Sequence, residues 1–232
     1  MTLEKFLKPN QKNLFKLLLK MYGENVAAST PDNFILVRGV APIMLVAHMD
    51  TVHQEPVKVI CRSSDKNILM SPEGIGGDDR CGIYALCKVY ETAPVKPWLL
   101  FTCDEETGGG GATRFCKEHG WGNLPSELDH LKCLVEIDRK GSEDAVYYDC
   151  QNRDFEEYIS EKGFVTAYGT FTDICYVAPE LQVAAVNLSS GYYNAHRPHE
   201  YINRAELENT ITKVTEIVAD AASNSMPRFD FF

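Results

Sequence analysis

The sequence predicts an α/β fold, a three-layer α/β/α sandwich around a mixed, mainly parallel sheet. Three observations carry this expectation. Short apolar runs alternate with longer stretches of helical periodicity, the order expected when strands and helices follow one another along the chain. The runs at 98–103, 132–137 and 181–188 are mostly apolar without strict alternation, as strands buried on both faces require. Acids and histidines stand at the ends of apolar runs, where an α/β sheet opens to solvent.

Taken in order, Leu14 to Met21 reads as a helix that starts after Pro9-Asn10 and stops at Gly23. Strands follow at 34–37 and 43–47, separated by Gly39 and Pro42 and expected to pair as neighbours. Residues 57–61 and 67–70 form a hairpin around Ser63-Ser64-Asp65, and Gly74 to Gly77 turns the chain sharply into Asp78. A helix over 81–90, a strand over 98–103, a helix over 112–119 and a strand over 132–137 come next. Residues 145–150 read as strand, 154–162 as an amphipathic helix and 181–188 as a buried strand. Asn203, with Glu206 three residues on, caps a final helix running to about Ala222, and the tail from Phe229 to Phe232 is either docked or a sticky terminus.

At 232 residues the chain suits one domain, residues 1–232, with one sizeable core. A net charge of −10 argues against a nucleic-acid backbone as main partner and disfavours an anionic membrane. No secretory signal pattern and no apolar run of membrane-spanning length is present, and eight cysteines without a Cys-x-x-Cys pair read as reduced core residues. The expected location is cytoplasmic.

Five clusters carry the candidate chemistry: His48-Met49-Asp50, Asp78-Asp79-Arg80, Asp104-Glu105-Glu106, Asp138 and His196. Each alone has an ordinary reading, such as a hydrogen-bonded His-Asp pair or an Asp at a helix cap. Together they point to one site. Two histidines with several carboxylates suit zinc, cobalt or manganese, and the carboxylates are too many for one closed structural zinc. Two successive acids ending a buried strand are costly without a cation nearby, and the pair can divide the work, one binding metal and the other taking a proton from water.

The ordered set resembles the zinc-dependent exopeptidases and deacylases that include peptidase T, carboxypeptidase G and the aminoacylases. The matching segments are Ala47-His48-Met49-Asp50-Thr51, Gly76-Gly77-Asp78-Asp79-Arg80-Cys81-Gly82, Phe101-Thr102-Cys103-Asp104-Glu105-Glu106-Thr107-Gly108, Ile137-Asp138, and Gly191 through Tyr201 with His196 inside it. The resemblance implies two divalent ions, with His48 and Asp138 on one zinc, Glu106 and His196 on the other, and Asp78 bridging. Asp50 orients His48, and Glu105 is the general base. Larger relatives insert a lid domain after the Asp138 equivalent, whereas here only 30 residues separate Asp138 from Gly169, so a complete lid is expected to be absent. Arg139, Tyr192, Tyr193 and Asn194 are the candidates to replace its substrate contacts.

The function expected from this set is an aminopeptidase for short peptides. An N-acyl amino acid deacylase is the alternative, in which Arg80, Arg139 or Arg197 recognises a carboxylate. A non-catalytic metal- or peptide-binding module is the reading from another class.

Overall fold

The chain opens with helices α1 (Glu4–Leu7) and α2 (Gln11–Tyr22), the second capped where the Asn10 side chain accepts the Asn13 N–H. Its buried Leu14, Phe15 and Leu18 form one apolar stripe that lies on the sheet, the physical reason this stretch is a helix. Strands β1 (Val26–Thr30), β2 (Phe34–Val37) and β3 (Ile43–His48) follow, then the short hairpin β4 (Cys61–Arg62) and β5 (Ile68–Met70). Next come α3 (Gly77–Thr92), β6 (Trp98–Thr102), α4 (Gly110–Gly120), β7 (Cys133–Arg139), β8 (Asp144–Val146), α5 (Arg153–Glu161) and β9 (Val165–Thr166). The chain closes with α6 (Ile174–Leu181), β10 (Ala185–Ser189), β11 (Tyr192–Tyr193), β12 (Tyr201–Asn203) and α7 (Arg204–Ala222). This computed structural model describes residues 1–53, 55–223 and 226–231.

The main sheet has eight strands in the order β1-β2-β6-β3-β7-β10-β8-β9. Its centre, β6-β3-β7-β10, is parallel, and antiparallel pairs appear toward both edges. The expected three-layer, mainly parallel α/β fold is present. Side chains alternate across the sheet: Ile43, Leu45 and Ala47 pack under α1, α2, α3 and α7, while Met44 and Val46 pack under α4 and α6. Each fully buried Leu, Ile or Phe in these layers contributes about 1.5–3 kcal/mol relative to exposure. The same parity carries His48 on β3 and Asp138 on β7 to one face at one end of adjacent parallel strands.

Several boundaries differ from expectation. Strands β2 and β3 are not neighbours, because β6 arrives later in the chain and pairs with both. The connection between them instead packs against the start of β6, where a Cβ on Gly39 would lie 2.3 Å from the Trp98 nitrogen. The hairpin around Ser63 to Asp65 forms, but its first strand is Cys61–Arg62, and residues 57–60 precede it without joining the ladder. Strand β8 stops at Val146 because Tyr148 and Asp149 turn through left-handed conformations at φ 53° and 59°. Leu181 belongs to α6, and Gln182, at φ 53°, ends that helix before β10.

The tail docks through Phe229, which is buried with its ring centroid 4.9 Å from that of Phe155; Phe232 lies outside the described residues. The interval between Asp138 and Gly169 is filled by β8, α5 and β9. Among the described residues, no helix is long and apolar enough to cross a membrane.

Candidate metal centre

All five sequence clusters meet at the carboxyl ends of β3, β6 and β7. His48 is the last residue of β3 and is fully buried. Its Nδ1 lies 3.2 Å from Asp50 Oδ1, and its Nε2 lies 3.3 Å from Asp78 Oδ1 and 3.7 Å from Asp138 Oδ1. Across the site, His196 Nε2 lies 3.2 Å from Asp78 Oδ2 and 3.0 Å from Glu106 Oε2. Asp78 therefore presents one oxygen to each histidine.

Asp50 also accepts the N–H groups of Glu105 and Glu106, at 3.2 and 3.0 Å, which ties the acid pair to the end of β3. Glu105 reaches to within 3.9 Å of His48 Nε2. These contacts explain why two adjacent acids sit where the sheet ends: their backbone is anchored by a carboxylate, and their side chains face the histidines.

Asp79 is buried but takes another part. It accepts the His48 N–H at 3.3 Å and the Gly82 N–H at 2.9 Å, so its oxygens are turned toward backbone donors. Donor atoms of His48, Asp79 and Asp138 also lie within 4.8 Å of one another, as do those of His48, Asp78 and Glu106. We assign Asp79 to support, because its hydrogen bonds hold the β3 terminus against the start of α3. Gly82 is required there: a Cβ would lie 2.4 Å from both the Asp79 carboxylate and the Ile137 carbonyl. Arg80 does not pair with Asp79; it donates to the Phe6 and Pro9 carbonyls, each at 2.7 Å.

Electrostatics tie the members of the cluster to one another. Burial, reinforced by Asp138, Asp173 and Glu106, pushes the Glu105 carboxyl up to about 8. Burial and Asp78 raise Asp138 to about 7, and burial and Asp78 raise Glu106 as well. Burial opposes a charged His48, yet Asp138, Asp50 and Asp78 outweigh it and hold its pKa well above the ordinary value. The hydrogen bond to Asp78 raises His196 to about 9, against burial and with help from Glu106. Asp78 and Asp50 move the other way: against burial, their hydrogen bonds to the histidines hold both carboxyls below the usual range, so the cluster is a strongly interacting set of opposite charges. Two imidazole nitrogens and three carboxylates converging in such a site fit a divalent cation.

Other residues frame the cluster. Glu200, fully buried, accepts the N–H groups of Gly76 and Asp78, both at 2.9 Å, and contacts His53 Nε2 at 2.8 Å. Asn187 on β10 clamps the Asp138 backbone, accepting its N–H at 2.8 Å and donating to its carbonyl at 3.1 Å. Beneath the centre, burial and Asp173 raise the Glu136 carboxyl well above its ordinary range, and Asp173 accepts from the Thr102 hydroxyl. The candidate set read from the sequence holds neither Asn187 nor Glu136, although a polar residue interrupting an apolar strand was the available signal for both; Asp173 belongs to the segment Gly169-Thr170-Phe171-Thr172-Asp173, whose resemblance to the family places it near the substrate pocket.

The four proposed substrate contacts separate. Tyr192 is buried, lines the pocket and donates toward Asp138 Oδ1 at 3.3 Å. Arg139 lines the pocket while its Nε contacts Asp144 at 3.3 Å. Tyr193 directs its hydroxyl to Glu206 at 2.6 Å, and Asn194 is exposed; both line a neighbouring cleft rather than the metal pocket. The metal pocket, about 180 Å³, is also lined by Lys140, Tyr148 and Phe171.

No family model matches the sequence. No curated protein matches it either. The fold, however, is shared with solved structures. Aminopeptidase PepT from Bacillus cereus superposes with a TM-score of 0.67 at 14% identity, over 95% of this chain and 98% of that one. A tripeptidase from Staphylococcus aureus gives 0.66 at 13% identity, over 95% and 96%. A protein described as a zinc-dependent exopeptidase, from Bacteroides vulgatus, gives 0.57 at 16% identity, over 92% and 88%.

Proposed function

We propose that the chain is a metal-dependent hydrolase of short peptides, an aminopeptidase with a two-ion centre, most readily zinc. The observation that carries this reading is the division of Asp78, with Oδ1 toward His48 and Oδ2 toward His196. On this reading His48 and Asp138 hold one ion, Glu106 and His196 hold the other, and Asp78 serves both. Cobalt or manganese suits the same donors. The fold shared with structures named aminopeptidase, tripeptidase and exopeptidase supports the reaction class.

Bound ions would polarise the scissile carbonyl and lower the pKa of water toward neutrality. The protein's own groups supply the rest. Asp50 accepts from His48 Nδ1, which fixes the tautomer and leaves Nε2 as the ligand atom. Glu105 takes the proton of the attacking water and returns it to the leaving amine. The Tyr192 hydroxyl borders the same pocket as a hydrogen-bond donor.

A Glu105→Gln variant tests the assignment. It is expected to retain metal, measured by elemental analysis, and to lose about 10²- to 10⁴-fold in turnover of a short-peptide library read by mass spectrometry. Wild-type turnover in that variant would reject Glu105 as the base. The deacylase reading draws on the cations Arg139 and Lys140 beside the pocket, which suit a substrate carboxylate. Comparing aminoacyl amides with N-acyl amino acids separates the two.

A further inference from the structure

The acid pair Glu105-Glu106 follows a residue with an uncommon backbone. Asp104 sits at φ 60°, in the left-handed region that residues with a side chain rarely enter, and any relaxation there would re-aim the two acids directly after it. Its carbonyl accepts the N–H groups of Gly109 and Gly110, at 2.9 and 3.2 Å, so one side of the turn is closed locally. The other side is held from ninety-three residues away. Gln11, the first residue of α2, donates from Nε2 to Asp104 Oδ1 at 3.0 Å, while its Oε1 accepts the Asp104 N–H at 3.3 Å. A carboxylate accepts and a backbone N–H donates, so this reciprocal pair fixes which way the Gln11 amide faces.

All three N–H groups of residues 104–106 are thus taken by side chains from outside the turn. Asp50 serves Glu105 and Glu106 from the end of β3, and Gln11 serves Asp104 from the N-terminal helices. The same N-terminal stretch reaches the opposite side of the centre, because Arg80, two residues after Asp78 and 3% exposed, donates to the Phe6 and Pro9 carbonyls. Residues 6–11 therefore hold the loop of Asp78 at one end and the turn of Glu105 at the other. The stretch is itself fixed: Phe6 and Leu7 are buried, and Leu14, Phe15 and Leu18 anchor α2 on the sheet. Helix α2 does not need the Gln11 amide for its own cap, which Asn10 already supplies.

We propose that Gln11 is a positioning residue for the acid pair: its amide holds Asp104 in the left-handed conformation that aims Glu105 and Glu106 into the metal pocket. The effect on turnover rests on the hydrolase reading above; the hold on the turn does not. Without the clamp Asp104 is free to leave that conformation, and a base displaced by about 1 Å costs up to about 10²-fold in rate.

Three variants decide. Gln11→Ala removes both hydrogen bonds, and Gln11→Glu keeps the shape but sets a second carboxylate against Asp104. Gln11→Glu/Asp104→Asn exchanges donor and acceptor and so restores both bonds, with a residue type that also tolerates positive φ. In the zinc-loaded protein, kcat on short peptides is expected to fall about 10- to 100-fold in the two single variants, with KM nearly unchanged, and to recover most of that loss in the double variant. Amide hydrogen exchange followed by NMR reads the same hold without turnover. The Glu105 and Glu106 N–H groups, which Gln11 does not touch, should exchange about tenfold faster in the single variants and at the wild-type rate in the double variant. Wild-type kcat in Gln11→Ala, or a loss in Gln11→Glu that Asp104→Asn fails to repair, would overturn the proposal. Should the wild-type protein cleave no peptide, the hydrolase reading fails while exchange still decides the clamp: unchanged rates at Glu105 and Glu106 in Gln11→Ala overturn it.

Discussion

The two histidines of the centre sit in opposite surroundings. His48 ends a central parallel strand with its side chain 0% exposed, whereas His196 lies on the loop after β11 with its side chain 54% exposed and its backbone at φ 62°. Both face Asp78. The difference teaches that one half of the site is part of the sheet and the other is laid over it. Chemistry that needs both halves therefore rests on unequal supports, and substitutions on the two sides should separate folding from metal binding.

The largest effect on stability belongs to His48→Ala. Its imidazole is the positive group among Asp50, Asp78 and Asp138, and removing it leaves buried carboxylates without compensation. Breaking a buried charge group in this way costs about 3–5 kcal/mol. Urea unfolding of the chelator-treated protein should register that loss, and a cost below about 1 kcal/mol would mean the strand-borne half is no more embedded than the other. Glu200→Ala ranks next. It deprives two backbone N–H groups and His53 of one buried acceptor, an expected loss of about 3 kcal/mol. Because one of those N–H groups belongs to Asp78, metal affinity should also weaken about 10- to 100-fold by competition with a chromogenic chelator.

This asymmetry also marks what was legible in the sequence. Apolar runs ending in charge disclosed the parallel centre and the convergence of His48, Asp78, Glu105, Glu106, Asp138 and His196. The position of β6 between β2 and β3 was not legible, since pairing over more than fifty residues is decided by the whole sheet rather than by the local turn. Helix α6 was hidden by Pro179 and by an apolar composition continuous with β10. The supports were harder still. Asn187 shows only as a polar residue in an apolar strand, and its meaning depends on a partner forty-nine positions away.

Asn187→Ala is therefore the third step in the comparison, aimed at the frame of the strand-borne half rather than at a ligand. It leaves the half-buried Asp138 N–H without its acceptor and removes a fully buried side chain, and the expected cost is about 2 kcal/mol. A thermal melt of metal-free protein checks it. A loss matching that of His48→Ala would place the strength of this half in the polar clamp and not in the charge cluster.

His196→Ala should have the smallest effect on folding and yet disable the loop-borne half. The side chain is half exposed and arises from a loop, so its removal opens no core cavity, and water screens the loss of its contacts to Asp78 and Glu106; metal-free stability should fall by about 1 kcal/mol. Metal content tells the other part of the story. The variant should bind one ion fewer than the wild-type protein while His48, Asp138 and Asp78 retain theirs, and peptide turnover should fall with the missing ion. Full loss of metal would show that the two halves bind only together, and the unequal burial of the histidines would then have no bearing on loading. Retention of both ions would remove His196 from the ligand set.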